Sequence, residues 1–154
     1  MKPQNRDLEL ARSRLKDRDL TLVIVKEGKV IFETRSQGVG GFLKAIEKLG
    51  TRLIASSAAD KIVGAAAAKL CVYSGMASVF AATISEEGIR VLQGNGIMHQ
   101  FENEVPNILN IDKTDICPFE KLVIGSRDPK EAYTKLKSLA RSDWKQLDDG
   151  SNFQ

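Results

Sequence analysis

Ala59-Asp60-Lys61-Ile62-Val63-Gly64-Ala65-Ala66-Ala67-Ala68-Lys69-Leu70 reads as an acid–base pair leading into a helix whose side chains are very small on one side. Asp60 has the side chain of a helix N-cap, able to accept a hydrogen bond from a free backbone N–H two or three residues on. Alanine is the best helix former, whereas glycine inside a helix costs up to about 1 kcal/mol relative to alanine. Gly64 beside four alanines is therefore expected where neighbouring backbone or a ligand comes close. The start of a buried helix aims bare N–H groups and a positive dipole end at whatever faces it. Lys61 would there hold a phosphate or carboxylate, or act as a base if burial depressed its pKa. Ser57, just upstream, adds a hydroxyl to the same place, although turn chemistry explains it equally well.

Outward from this stretch the chain alternates between helix and strand patterns. Leu8, Ala11 and Leu15 fall at near-helical spacing in a first amphipathic helix over 6–16. Leu20 to Val25 and Val30 to Phe32 are apolar runs separated by Glu27-Gly28, the pattern of a tight β-hairpin. Phe42 to Leu49 predicts a helix closed by Gly50. Ala77 to Ala82 reads as a short buried strand. Ser85 then caps a helix carrying Glu86 and Glu87 in its first turn, where the dipole favours acids. Ile97 to Phe101 alternates as a strand, 102–115 reads as a surface loop, and Asp128-Pro129 opens a last helix through Leu139. The polar tail 143–154 is expected to fray, with Trp144 pinning its start. This order predicts one domain over 1–154, its core at about 6–140, built as a three-layer α/β/α sandwich around a mixed sheet.

Composition narrows the function classes. A chain of 154 residues fits one domain that buries about 70% of the surface exposed when unfolded. Its 23 basic and 20 acidic residues nearly cancel to +3, which lacks the clustered basic face that nucleic acid requires. The densest basic run, Arg12 to Arg18, is interrupted by Asp17 and reads as a solvated helix face. No apolar run approaches the roughly 18 residues of a membrane span, and the first residues lack the apolar core of a secretory signal. A cytoplasmic location is the expectation. Two cysteines, Cys71 and Cys117, make no disulfide framework. With His99 they are the whole supply of the usual zinc ligands, and no Cys-x-x-Cys, His-x-Glu or His-Glu-x-x-His spacing exists. Neither a metal nor a cofactor is predicted.

Two further places carry candidate chemistry. In Cys117-Pro118-Phe119-Glu120 a thiol precedes a helix whose dipole would stabilise its thiolate, with proline at the first helical position. Glu120 stands where it would complete a cap-like contact with that end. A buried, unreactive cysteine fits the pattern equally, because no base is visible near it. Ser36-Gln37-Gly38-Val39-Gly40-Gly41 has three glycines before a helix, but matches neither the phosphate loop nor the dinucleotide fingerprint and reads as a flexible loop.

With this element order, Asp60 to Ala67 and Ile116-Cys117-Pro118-Phe119-Glu120 resemble an uncharacterised prokaryotic family of the cytidine-deaminase-like superfamily, over roughly Leu20 to Leu139. The resemblance implies the deaminase-like fold. A catalytic deaminase carries His-x-Glu or Cys-x-Glu at the start of its central helix and Pro-Cys-x-x-Cys at the next, binding zinc that activates water. Here those places read Asp60-Lys61-Ile62 and, approximately, Thr83 to Glu87, so zinc-dependent deamination is not expected. Three readings follow. The first is a binding domain for a small anionic or nucleotide-like ligand near Asp60, Lys61, Ser57, Ser85 and Cys117. The second is a metal-free enzyme with Cys117 as nucleophile and Glu120, Lys61 or Asp60 moving protons. The third is a homo-oligomer formed through an exposed sheet edge, as the resemblance suggests.

Overall fold

A computed structural model describes residues 3–147, and side-chain surroundings over 5–141. The first helix, α1 (Pro3–Asp17), leads into a hairpin of β1 (Leu22–Lys26) and β2 (Lys29–Thr34). Next come α2 (Gly40–Leu49), a short 3-10 turn (Gly50–Leu53) and β3 (Ser57–Val63). Two strand–helix repeats follow, α3 (Ala65–Tyr73) with β4 (Ser78–Ser85), and α4 (Glu86–Gly94) with β5 (Met98–Val105). The chain closes with α5 (Pro118–Val123) and α6 (Pro129–Leu147). The five strands form one mixed sheet in the order β2-β1-β3-β4-β5. β1 is antiparallel to both its neighbours, while β3, β4 and β5 are parallel.

β1 explains the layering. Its run Leu22-Val23-Ile24-Val25 is buried throughout because both faces of the strand are covered. Val23 and Val25 join Leu8, Ala11 and Leu15 of α1 and Phe80 of β4 on one face. Leu22 and Ile24 join the core under α2, α3 and α6 on the other. One helix thus covers one face and the remaining helices the opposite one: a three-layer α/β/α sandwich around a mixed sheet. The hairpin turn at Glu27-Gly28 has φ of 52° and 78°, the left-handed pair that a two-residue turn requires. The buried Asp7 carboxylate fixes that turn from α1, accepting the Glu27 N–H at 3.0 Å and the Gly28 N–H at 2.9 Å. The basic run on α1 folds partly back onto the protein. Arg12 and Lys16 lie over the Phe80 ring and pair with Glu102, and Arg14 pairs with Glu33.

Four boundaries differ from expectation. The largest is β3: Ser57 to Val63 is a strand, so Asp60 is not a helix N-cap, and the central helix begins only at Ala65. Two alanines give this strand low intrinsic β propensity. Pairing between β1 and β4 in mid-sheet overrides it, and Ala58 and Ala59 let layers approach on both faces. β4 runs on to Ser85, and β5 runs to Val105 through residues read as loop. β5 is an edge strand, and Glu102 and Glu104 suit a position where charge discourages further pairing. The last helix passes Leu139 and continues through Leu147, which corrects the frayed reading of 143–147. The tail 148–154 and the Trp144 side chain lie outside the described residues. No described helix is long and apolar enough to cross a membrane.

Candidate functional site

The parallel strands β3 and β4 deliver the chain to the starts of α3 and α4 at the same end of the sheet. α3 is buried among Ala65, Ala66, Ala67, Ala68, Leu70 and Cys71. It packs against α4, α5 and α6 as well as β3. A helix enclosed this completely cannot leave its first N–H groups bare, since water does not reach them and an unpaired buried N–H costs about 1–3 kcal/mol. The cap residue is Gly64, which has no side chain to offer. The partner comes from 55 residues away. Glu120 of α5 accepts the Ala65 N–H at 2.7 Å through Oε1 and the Ala66 N–H at 3.0 Å through Oε2.

Gly64 is what makes room. A Cβ there would fall well inside van der Waals contact with the Glu120 carboxylate. The close approach foreseen for Gly64 is therefore real, but Gly64 precedes the helix rather than interrupting it, and what approaches is a carboxylate of the same chain. The contact is reciprocated. Lys69, one turn along α3, donates from Nζ to the carbonyl of Val123 at the end of α5, 2.7 Å away. A carboxylate of α5 thus caps the start of α3, and a lysine of α3 caps the end of α5, each charge matched to the dipole end it meets. Glu120 is buried, and burial pushes its carboxyl above the ordinary glutamate range. The bonds from Ala66 and Ala65 and the Lys69 ammonium pull it back, while Glu87 adds to the rise.

The start of α4 is closed by local chemistry. Ser85 Oγ accepts the Gly88 N–H at 3.0 Å, the N-cap that the sequence announces. Gly88 is required because a Cβ would stand 2.8 Å from the Val63 carbonyl oxygen. The two helix starts that carry zinc ligands in a catalytic deaminase read Gly64-Ala65-Ala66 and Ser85-Glu86-Glu87 in this chain. Neither contains Cys or His, and Glu120 already holds the N–H groups of the first, so this donor set does not fit a deaminase zinc. Among the described residues no three His, Cys, Asp or Glu side chains cluster as a metal site.

The residues singled out from the sequence are only partly brought together. Ser85 and Glu120 stand at the helix starts. Asp60 and Lys61 are consecutive strand residues and leave β3 toward opposite faces. Lys61 pairs with Asp19 at 3.1 Å in solvent. Asp60 is half-buried on the α3 face. Burial pushes its carboxyl up to about 7, against the bonds from the Ile62 and Lys61 N–H groups. Its charge, added to burial, raises the Cys71 thiol well above the usual range, and Cys71 is core as expected. Ser57 lies at the far end of β3, roughly 20 Å of strand from Gly64 at about 3.3 Å per residue. There its hydroxyl shares a 2.6 Å hydrogen bond with that of Ser78. Cys117 is the cap residue of α5, half-buried, with its N–H on the Ile108 carbonyl at 2.9 Å. No base contacts its thiol among the described residues. Lys69 was not foreseen, because a lysine after four alanines carries no local signal of its distant partner.

Comparison with known proteins follows the fold. The family described as "TM1506: Domain of unknown function (DUF1893)" matches residues 10–139. A solved structure of a DUF1893 family protein (TM1506) from Thermotoga maritima is 28% identical, with a TM-score of 0.78 over 86% of this chain and 89% of that one. RibD of Acinetobacter baumannii is 15% identical, with a TM-score of 0.50 over 66% of this chain and 36% of that one, a likeness of fold alone. Comparison with the curated proteins finds no match.

Two predictions follow from this geometry. Gly64→Ala displaces the Glu120 carboxylate and lowers stability by about 1–3 kcal/mol, whereas in a Glu120→Ala background the same change costs under about 0.5 kcal/mol. Urea midpoints of the four proteins measure the coupling, and additive costs contradict it. The second concerns pH. In the folded chain Asp60 keeps its proton up to about pH 7, against an ordinary 3.8. The folded state therefore binds more protons across that window, and stability falls as pH rises through it, with Glu120 acting in the same direction. At about 1.36 kcal/mol per pH unit the ceiling is about 4 kcal/mol, and partial solvent contact reduces it to the order of 1–3 kcal/mol. Asp60→Asn keeps an oxygen for the Ile62 N–H, so it flattens the decline and is the more stable protein at pH 8. An unchanged slope in that variant, read from urea midpoints at pH 5 and pH 8, rules this out.

Proposed function

The chain belongs to the family described as TM1506, domain of unknown function (DUF1893), and from that premise we propose that its deaminase-like fold serves binding rather than zinc-dependent deamination, with the start of α3 as the anion-accepting position. One observation carries the reading: a carboxylate already sits there, held by two backbone N–H groups in a recess that exists because residue 64 has no side chain. Backbone N–H groups at a helix start take phosphate as readily as carboxylate. The ligand of this reading is a small anionic or nucleotide-like molecule whose carboxylate or phosphate takes the place of Glu120. Ser85 stands at the neighbouring helix start as a second polar group. Asp60 lies four strand residues, about 13 Å, before Gly64 and beside Cys71, so it, like Ser57 and Lys61, stands away from that position. The metal-free enzyme with Cys117 as nucleophile draws less support. Both Glu120 oxygens are taken up by α3, Lys61 is engaged by Asp19, and among the described residues no base contacts the thiol.

Glu120→Ala tests the proposal by emptying the position. The variant is expected to lose stability and to recover part of it in acetate or a nucleoside monophosphate, with a Tm rise about 2–4 °C larger than that of the unaltered chain. Equal responses of the two proteins, or a response matched by sodium chloride at the same ionic strength, would sink it.

A further inference from the structure

A second place, remote from Glu120, gathers positive charge around a cleft. α2 and α6 lie side by side and leave an opening of about 40 Å³ between them. Its rim carries Lys44 from α2 and Lys137 and Arg141 from α6, with Glu47 as the single acid among the described residues. The spacing explains the gathering: Gly40, Lys44 and Glu47 fall on one face of α2, and Tyr133, Lys137 and Arg141 on one face of α6. Tyr133 is fixed by stacking on Tyr73, with ring centres 4.5 Å apart and planes at 14°, and the Lys137 ammonium lies 5.7 Å from the Tyr133 ring. Among the described residues neither Lys137 nor Arg141 meets an acidic partner. Lys137 and Arg141 are like charges four residues apart on one helix face, a spacing at which they repel, and an anion between them relieves that repulsion.

The backbone adds to the same field. α2 begins at Gly40 after Val39, whose side chain makes no cap hydrogen bond, and space for a Cβ at Gly40 is open. Gly40 thus leaves the positive end of α2 open on the side of the cleft that it helps to line. The glycines of 38–41, read from sequence as a flexible loop, in fact carry the chain directly into this helix.

We infer that the cleft between α2 and α6 binds a phosphate group, held by Lys44, Lys137 and Arg141 against the start of α2. The size sets the limit: whole metabolites occupy pockets of roughly 300–1,000 Å³, so a phosphate-sized head enters here and the rest of any phosphomonoester stays in solvent. This site does not depend on the reading of α3, because Glu120 closes the other helix start and none of its partners borders the cleft.

Titrating the full chain with inorganic phosphate at pH 7.5 and low salt, followed by backbone amide NMR, tests the assignment. Saturable one-to-one shifts are expected at Gly40, Gly41 and Lys137. A Lys137→Ala/Arg141→Ala double variant, changed only on the surface, should bind about tenfold more weakly, and Glu47→Gln about two- to threefold more tightly. A phosphomonoester that matches inorganic phosphate marks a site for the phosphate alone, and one that binds more tightly marks a site for the ester; both support the cleft. Shifts that do not saturate, shifts confined to Ala65 and Ala66, or equal affinity in the double variant would overturn it.

Discussion

The contact between the Glu120 carboxylate and the first two N–H groups of α3 is the constraint on which the rest of the site depends. The first turns of α3, from Ala65 to Ala68, are buried, so its start cannot be satisfied by water. Its cap residue is a glycine, so it cannot be satisfied locally. A charge from elsewhere must complete it, and α5 exists where it does in order to bring that charge. The Lys69 bond to Val123 then fixes the far end of α5, and the short helix is held at both ends by the long-buried one. The cost of burying a carboxylate is visible in its raised pKa, offset but not cancelled by the two N–H bonds and by Lys69.

The same contact takes up a helix start of the kind that holds a zinc ligand in a deaminase. A deaminase uses the starts of its two core helices to hold a metal and the water it activates. Here one start is closed by Glu120 and the other by Ser85, and each closure uses a glycine where a side chain would collide with the capping group or with backbone. The helix starts have become structural joints. An anionic ligand at α3 would therefore act by exchange with an internal group, not by entering open space.

Much of the architecture was legible because it rests on local signals. The hairpin at Glu27-Gly28, the Gly50 and Ser85 caps and the proline start of α5 each follow from turn or cap chemistry within a few residues. What was not legible depended on distant partners. Asp60 to Val63 reads as the start of the alanine helix, yet Ser57 to Val63 is a strand because β1 and β4 flank it. That one misreading moved the helix start from Asp60 to Gly64 and put Asp60 and Lys61 on one surface, when a strand sends them to opposite faces. Glu120 is expected from the sequence to cap its own helix, and the structure gives its carboxylate to α3 instead. Its true partner lies 55 residues upstream, and only the unexplained glycine at 64 hinted at it.

Titration of the Glu120 side-chain carboxyl carbon by NMR, followed together with the Ala65 and Ala66 amide protons, tests the central contact most directly. If Glu120 is the ligand of α3, all three signals move with one midpoint above the ordinary glutamate value, and the amide titrations vanish in Glu120→Gln. Amide protons that ignore the carboxyl's titration, or that titrate unchanged in Glu120→Gln, would contradict it.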